Sequence, residues 1–140
     1  MSVQPSRSVL VFGASSQIGH CLLPMLSTQG KSVIAVSRSP RRDQGAHWLR
    51  GELPERLHGD FSEVDSIACF APLDALAAWI SNTHLPALKR AVATSSMSAE
   101  SKRESPVAAE RALAQRLREG EQALMRACES RGVACTILRP

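Results

Sequence analysis

The feature that most constrains this 140-residue chain lies near its start. Ser8 to Phe12 (SVLVF) is a short apolar run rich in β-branched residues. It breaks into small residues, Gly13-Ala14-Ser15-Ser16, and from Gln17 to Gln29 the apolar spacing turns helical. A strand that passes through a glycine turn straight into a helix aims the helix N-terminus at whatever lies above the strand end. The first N–H groups of that helix have no acceptors, so the place suits a pyrophosphate. Gly13, Ser16 and Gly19 stand at the three positions of G-x-x-G-x-x-G. The G-x-G-x-x-G form fails because residue 15 is Ser, and a P-loop fails because no Gly-Lys-Ser/Thr follows. Gly13, Ser15, Ser16, Gln17, Ile18 and Gly19 are therefore the candidate phosphate-holding residues. Ser16 departs from the pattern: its side chain crowds the closest approach to the phosphates, unless its hydroxyl itself donates a hydrogen bond. The competing reading is a plain turn in a structural sheet.

The rest of the chain repeats the alternation. Apolar runs at Ser32–Ser37, His47–Arg50, Ser66–Phe70, Arg90–Thr94 and Val133–Leu138 read as further strands. Helical spacing is expected over Gln17–Gln29, with Ile18, Cys21, Leu22 and Met25 inward and Pro24 perturbing its first turns. Gly30 is a natural stop for it. A second helix is expected over Leu73–Ser81. A third begins at Ser105-Pro106, a Ser cap with Pro at the first helical position, and runs to Arg131 before Gly132. Leu113, Leu117, Leu124 and Cys128 form its apolar stripe, and Gly120 allows a close neighbour. Glu52–Asp65 shows no clean period, and Ser95–Glu104 reads as a polar loop. Strands alternating with helices give the α/β class: a Rossmann-type, doubly wound parallel sheet of about six strands with helices on both faces. Residues 1–140 read as one domain.

Composition narrows the functions. No stretch approaches the roughly 18 apolar residues of a membrane span, and Met1–Ser8 carries no secretory signal. Net charge is only +4, with no basic face interleaved with aromatics, which argues against nucleic acid. His20, His47, His58 and His84 are scattered and no metal site is read. Cys21, Cys69, Cys128 and Cys135 form no C-x-x-C pair and read as buried, reduced thiols of a cytoplasmic protein.

One charge cluster calls for an explanation. The second strand ends in Ser37-Arg38, followed by Arg41 and Arg42. A site that prefers NAD usually places Asp or Glu there for the ribose hydroxyls. A guanidinium favours a 2′-phosphate through forked, charge-assisted hydrogen bonds. NADP is therefore the expected cofactor, ahead of NAD. A solvated basic loop is the alternative, more so for Arg41 and Arg42 than for Arg38.

VLVFGASSQIG, VSRSP, ATSSMSAESK and the closing TILRP together resemble the extended and atypical short-chain dehydrogenase/reductases, nearest the bacterial NAD-dependent epimerase/dehydratase-like proteins. The resemblance covers essentially the whole chain. It implies an acidic residue after the third strand that contacts the adenine. Glu52, in Gly51-Glu52-Leu53, follows that strand directly and is preferred to Asp60. Phe70-Ala71-Pro72 matches the stretch along the cofactor's ribose. Thr94-Ser95 matches the strand end near the nicotinamide, and Ser96 the family's catalytic Ser/Thr. The family's Tyr-x-x-x-Lys falls on Leu113 and Leu117, and the chain contains no tyrosine at all. Lys102 and Glu104 are candidate substitute proton carriers, against the reading of solvated loop charge. The family also continues past Leu-Arg-Pro into a segment that forms the substrate pocket. The resemblance thus implies a cofactor-binding half without its C-terminal substrate part.

The expectation is an NAD(P)-binding relative of nucleoside-diphosphate-sugar epimerases and reductases, with impaired or no catalysis. An active NADP-dependent oxidoreductase or epimerase with atypical acid–base residues is the alternative, and a non-enzymatic NADP-sensing regulator the second. A structural domain without a ligand is the last. The partners expected are the dinucleotide and an unidentified small-molecule substrate. The long last helix could also pair with a copy of itself, although its apolar stripe is equally what the sheet needs.

Overall fold

The computed structural model describes residues 8–42 and 45–140. In chain order the elements are β1 (Ser8–Phe12), α1 (Gln17–Thr28), β2 (Ser32–Ser37), β3 (His47–Arg50), β4 (Val64–Cys69), α2 (Leu73–Asn82), β5 (Arg90–Thr94), α3 (Ser98–Ser101), α4 (Ala108–Glu129) and β6 (Ala134–Leu138). The six strands form one sheet, in the order β3-β2-β1-β4-β5-β6, and every pairing is parallel. From β1 the sheet grows one way to β2 and β3, then the other way to β4, β5 and β6. Strand order therefore reverses beside β1, and a crevice opens there at the carboxyl ends of the strands.

The period of two along β1 separates the two faces. Leu10 and Phe12 point into the larger core, with Ile67, Cys69, Ala91 and Ala93 from neighbouring strands and Leu76, Ile80, Leu124 and Cys128 from α2 and α4. Phe12 and Phe61 both stand edge-on to Trp79, with ring centroids 5.1 and 5.3 Å apart. Val9 and Val11 point the other way, where Ala14, Leu23, Val33 and Ala35 complete a smaller core under α1. Register places Val92 and Leu138 on this second face, and both are exposed. A groove of about 770 Å³ runs there between α1 and the strands. The sheet has helices on both faces, but on the α1 side they cover only part of it.

All six predicted strands form, and Gly30 and Gly132 stop their helices at φ +73° and +66°. Gly120 meets α2 as expected: a Cβ there would lie 3.3 Å from the Asp74 nitrogen. Several expectations change. The inward side of α1 is Gly19 and Leu23, with Leu22 and Leu26 half-buried, whereas Ile18, Cys21 and Met25 are exposed. The reason is Gly19, whose own Cβ would sit 2.4 Å from the Ala14 carbonyl oxygen; that approach turns the helix by about one position. Helix α1 also runs unbroken through Pro24. β4 begins at Val64, which is buried, and ends at Cys69 rather than Phe70. α4 begins at Ala108, not at Pro106. The Ser105 hydroxyl accepts from the Val107 N–H and donates to Glu110, and so caps a bend before the helix. The polar loop after β5 contains α3. Of the thiols expected to be buried, Cys69 and Cys128 are, Cys135 is half-buried and Cys21 is exposed. Of the expected apolar stripe of α4, Leu124 and Cys128 belong to the larger core, whereas Leu113 and Leu117 are half-buried and outside it. Among the described residues no helix is long and apolar enough to cross a membrane.

Candidate functional site

A cleft of about 470 Å³ opens where strand order reverses, above the ends of β1, β2 and β4. The glycine turn forms its floor. Gly13 adopts φ +70°, and a Cβ there would also press within 3.0 Å of the Phe70 backbone, so glycine is required twice over. Ser16 caps α1: its Oγ accepts from the Gly19 N–H at 3.1 Å. That bond uses a lone pair and leaves the Ser16 O–H free to donate. The first-turn N–H groups of Gln17 and Ile18 have no acceptor among the described residues. They stand at the helix N-terminus, where partial positive charge favours an anion.

The end of β2 is tied to this turn. The Ser39 N–H donates to Ser37 Oγ, and the Ser37 hydroxyl donates to Ser15 Oγ, each at 3.1 Å. The Ser15 O–H is left over for a ligand. Beyond β2, the Gly51 N–H donates to the Ser37 carbonyl at 3.1 Å, which brings Glu52 and Leu53 to the rim. The Phe70 N–H donates to the Phe12 carbonyl at 3.0 Å, which carries Phe70-Ala71-Pro72 along the opposite wall.

The cleft thus gathers Gly13, Ser15, Ser16, Ser37, Arg38, Glu52, Leu53, Phe70, Ala71 and Pro72, all expected from the sequence. Three others of the glycine turn do not line it. Ile18 faces solvent, Gly19 is buried behind against Ala14, and Gln17 offers only its backbone. Phe12, Val36, Gly51 and Ala75 line it and were not singled out. Phe12 and Val36 are the last inward residues of their strands, so register could have found them; Gly51 and Ala75 carried no signal of their own. Asp60 is exposed and lies outside the cleft; its carboxyl is held below the usual range by bonds from Ser62.

A smaller cleft of about 140 Å³ adjoins the first and shares Ala71 and Pro72 with it. Thr94 and Ser95 from β5 and Arg116, Leu117 and Gly120 from α4 are among its walls. The Ser95 Oγ is buried and has no hydrogen-bond partner among the described residues. Ser96 lines neither cleft: its Oγ accepts from the Ser98 N–H at 3.1 Å, at the start of α3. Lys102 and Glu104 line neither as well. Among the described residues no group of His, Cys, Asp and Glu is placed to hold a metal ion.

No protein-family model matches the chain, and no curated protein is similar to it. Solved structures are. A provisionally named NAD-dependent epimerase/dehydratase from Bacillus halodurans is 23% identical, with a TM-score of 0.71 over 95% of this chain and 69% of its own. Vestitone reductase from alfalfa (Medicago sativa) is 17% identical, with a TM-score of 0.64 over 94% of this chain and 56% of its own. MoeE5, in complex with UDP-glucuronic acid and NAD, is 18% identical, with a TM-score of 0.65 over 93% of this chain and 52% of its own. At these identities the likeness is one of fold, and the chain spans just over half the length of the last two.

Proposed function

We propose that this chain binds a nicotinamide dinucleotide, NADP ahead of NAD, as the cofactor domain of a reductase or epimerase. One observation carries the reading. The crevice at the strand-order reversal combines an α1 N-terminus with unpaired N–H groups, two serine O–H donors and Arg38 at the end of β2. The MoeE5 structure, similar in fold, is a complex with UDP-glucuronic acid and NAD, which supports a dinucleotide as the ligand class.

The residues fit the cofactor from end to end. Ser15, Ser16 and the Gln17 and Ile18 amides would hold the pyrophosphate. Ser37 and Arg38 would take the adenosine ribose and its substituent, and Glu52 with Leu53 the adenine. Phe70-Ala71-Pro72 would lie along the chain of the dinucleotide. The orphaned Ser95 hydroxyl is the kind of buried group a ligand satisfies, and it stands with Thr94 where the nicotinamide would reach. The cofactor, when bound, supplies hydride transfer.

Proton handling is where this chain is poor. Leu113 and Leu117 on α4 take the positions that the family resemblance implies for Tyr and Lys, and Leu117 lines the smaller cleft. Apolar side chains there exchange no proton, so turnover is expected to be weak or absent. The hydroxyl proposed for catalysis, Ser96, accepts the Ser98 N–H and keeps its own proton and a second lone pair, but it lines neither cleft. Calorimetric titration of the full chain with NADP and with NAD tests the reading: binding of NADP at least as tight as NAD is expected. No heat with either would overturn it.

A further inference from the structure

A second hollow of about 440 Å³ adjoins the first cleft, and Arg38, Gly51 and Glu52 line both. Its other walls are Arg50, Glu55, Arg56 and His58. In the sequence these arginines are spread across two strands and a loop, and only the fold gathers them. Arg38 follows β2. Arg50 closes β3 and pairs in register with Ser37, so its backbone stands beside the end of β2. Arg56 is brought back by an antiparallel bridge: Glu52 and Arg56 exchange N–H···O bonds of 3.0 and 2.9 Å.

Among the described residues, none of the three guanidiniums is ion-paired. Against them stand only the two carboxylates of Glu52 and Glu55, so arginines outnumber acids in the hollow. Three unpaired forks around one concavity match a phosphate monoester, which carries close to two negative charges and three acceptor oxygens. A neutral ribose hydroxyl would need only the Glu52 carboxylate.

We propose that Arg50 and Arg56, together with Arg38, form the binding site for a phosphate monoester on the adenosine ribose, and that Arg50 and Arg56 determine the choice of NADP over NAD. The proposal rests on the dinucleotide reading of the adjoining cleft. It removes Arg41 and Arg42 from that role: both are exposed and line neither hollow. Glu52 then serves the adenine side of the shared wall, and Glu55 the solvent rim.

The test is calorimetric titration of the full chain and its Arg50→Ala and Arg56→Ala variants with NADP, NAD, 2′,5′-ADP and 5′-AMP. Both side chains are on the surface, and matched thermal melts check that the variants fold. The wild type is expected to bind 2′,5′-ADP at least tenfold more tightly than 5′-AMP. Each variant is expected to lose about tenfold in affinity for NADP and 2′,5′-ADP, the size of one charge-assisted contact, with NAD and 5′-AMP unchanged within about twofold. Arg56→Lys should recover part of the loss. If both cofactors bind and the NADP-to-NAD ratio is the same in wild type and variants, this proposal alone is overturned. If no nucleotide binds, the cofactor reading falls and takes this proposal with it.

Discussion

Arg139 places its Nε 2.8 Å from Oε1 and 3.0 Å from Oε2 of Glu121, a carboxylate buried on α4. A second nitrogen, Nη2, lies 2.6 Å from Oε1, and Nη1 reaches Glu100 of α3 at 3.3 Å. The chain beyond β6 is thereby tied to two helices, next to the loop that carries Ser95 and Ser96. The bonds to Glu121 hold the guanidinium's pKa above its ordinary value, so it stays charged throughout the working range.

Removing the arginine would leave the buried Glu121 carboxylate without its partner, a destabilising change. Arg139 is one-third exposed, so water replaces part of what is lost. Arg139→Ala is expected to lower the denaturation midpoint, by less than a fully buried pair would. The double change Glu121→Met with Arg139→Met is expected to cost less, because no charge is left unpaired. Urea denaturation reads both; an Arg139→Ala midpoint equal to that of the wild type would remove the pair from the stability of the fold.

Gly19 and Gly30 separate two reasons for glycine. At Gly19 a Cβ would meet the Ala14 backbone oxygen at 2.4 Å and its carbonyl carbon at 2.7 Å, and neither can step aside without moving the turn. At Gly30 nothing lies within 4 Å, and only the positive φ resists a side chain. Gly19→Ala is expected to cost about 3 kcal/mol or more and to displace the turn, whereas Gly30→Ala is expected to cost about 1 kcal/mol. Thermal melts of the two variants check the order. Equal losses would mean that the close approach at Ala14 has no energetic weight.

The buried thiols give a pH dependence with a definite sign. Burial pushes Cys69 up to about 12 and Cys128 likewise to about 12. In the unfolded chain these groups ionise near 8.5. The contribution is therefore fully present below that value and is lost as pH rises towards 12, by up to about 1.4 kcal/mol per pH unit for each thiol. Denaturation midpoints should hold from pH 7 to 8.5 and fall above pH 9. A thiol reagent at neutral pH should label Cys21 in the folded protein and reach Cys69 and Cys128 only on unfolding. Labelling of Cys69 at the rate of Cys21 would contradict its burial.

Most of the fold was legible because parallel strands covered on at least one face read as short continuous apolar runs, and each of SVLVF, SVIAVS, HWLR, RAVAT and ACTIL marks one. The helix faces were less legible. On α1 the apolar residues Ile18 and Met25 stand outside, and the inward position is held by a glycine, which carries no hydrophobic signal. The start of α4 was misplaced because Ser105-Pro106 satisfies capping chemistry locally without opening the helix. The glycine turn and both rims of the cleft could be read because consecutive residues build them. Arg50 and Arg56 could not, since their closeness to Arg38 depends on β2–β3 register and on the Glu52–Arg56 bridge. The Arg139–Glu121 pair was hidden for the same reason.

Ser16 offers the sharpest test of the proposed phosphate role of the glycine turn, because two effects can be separated at one atom. As the cap of α1 its Oγ accepts the Gly19 N–H, and the same oxygen still carries a proton for a ligand. If donation outweighs crowding, losing the hydroxyl weakens dinucleotide binding whatever replaces it. Ser16→Ala is expected to lower stability by about 1 kcal/mol through the lost cap, and Ser16→Gly by only a few tenths. Both are expected to weaken NADP binding by about tenfold, the size of one hydrogen bond to a charged group. Calorimetry set beside thermal melts separates the two readouts. Tighter binding in Ser16→Gly than in the wild type would show that the side chain obstructs the phosphates, and the donor role of Ser16 would be lost.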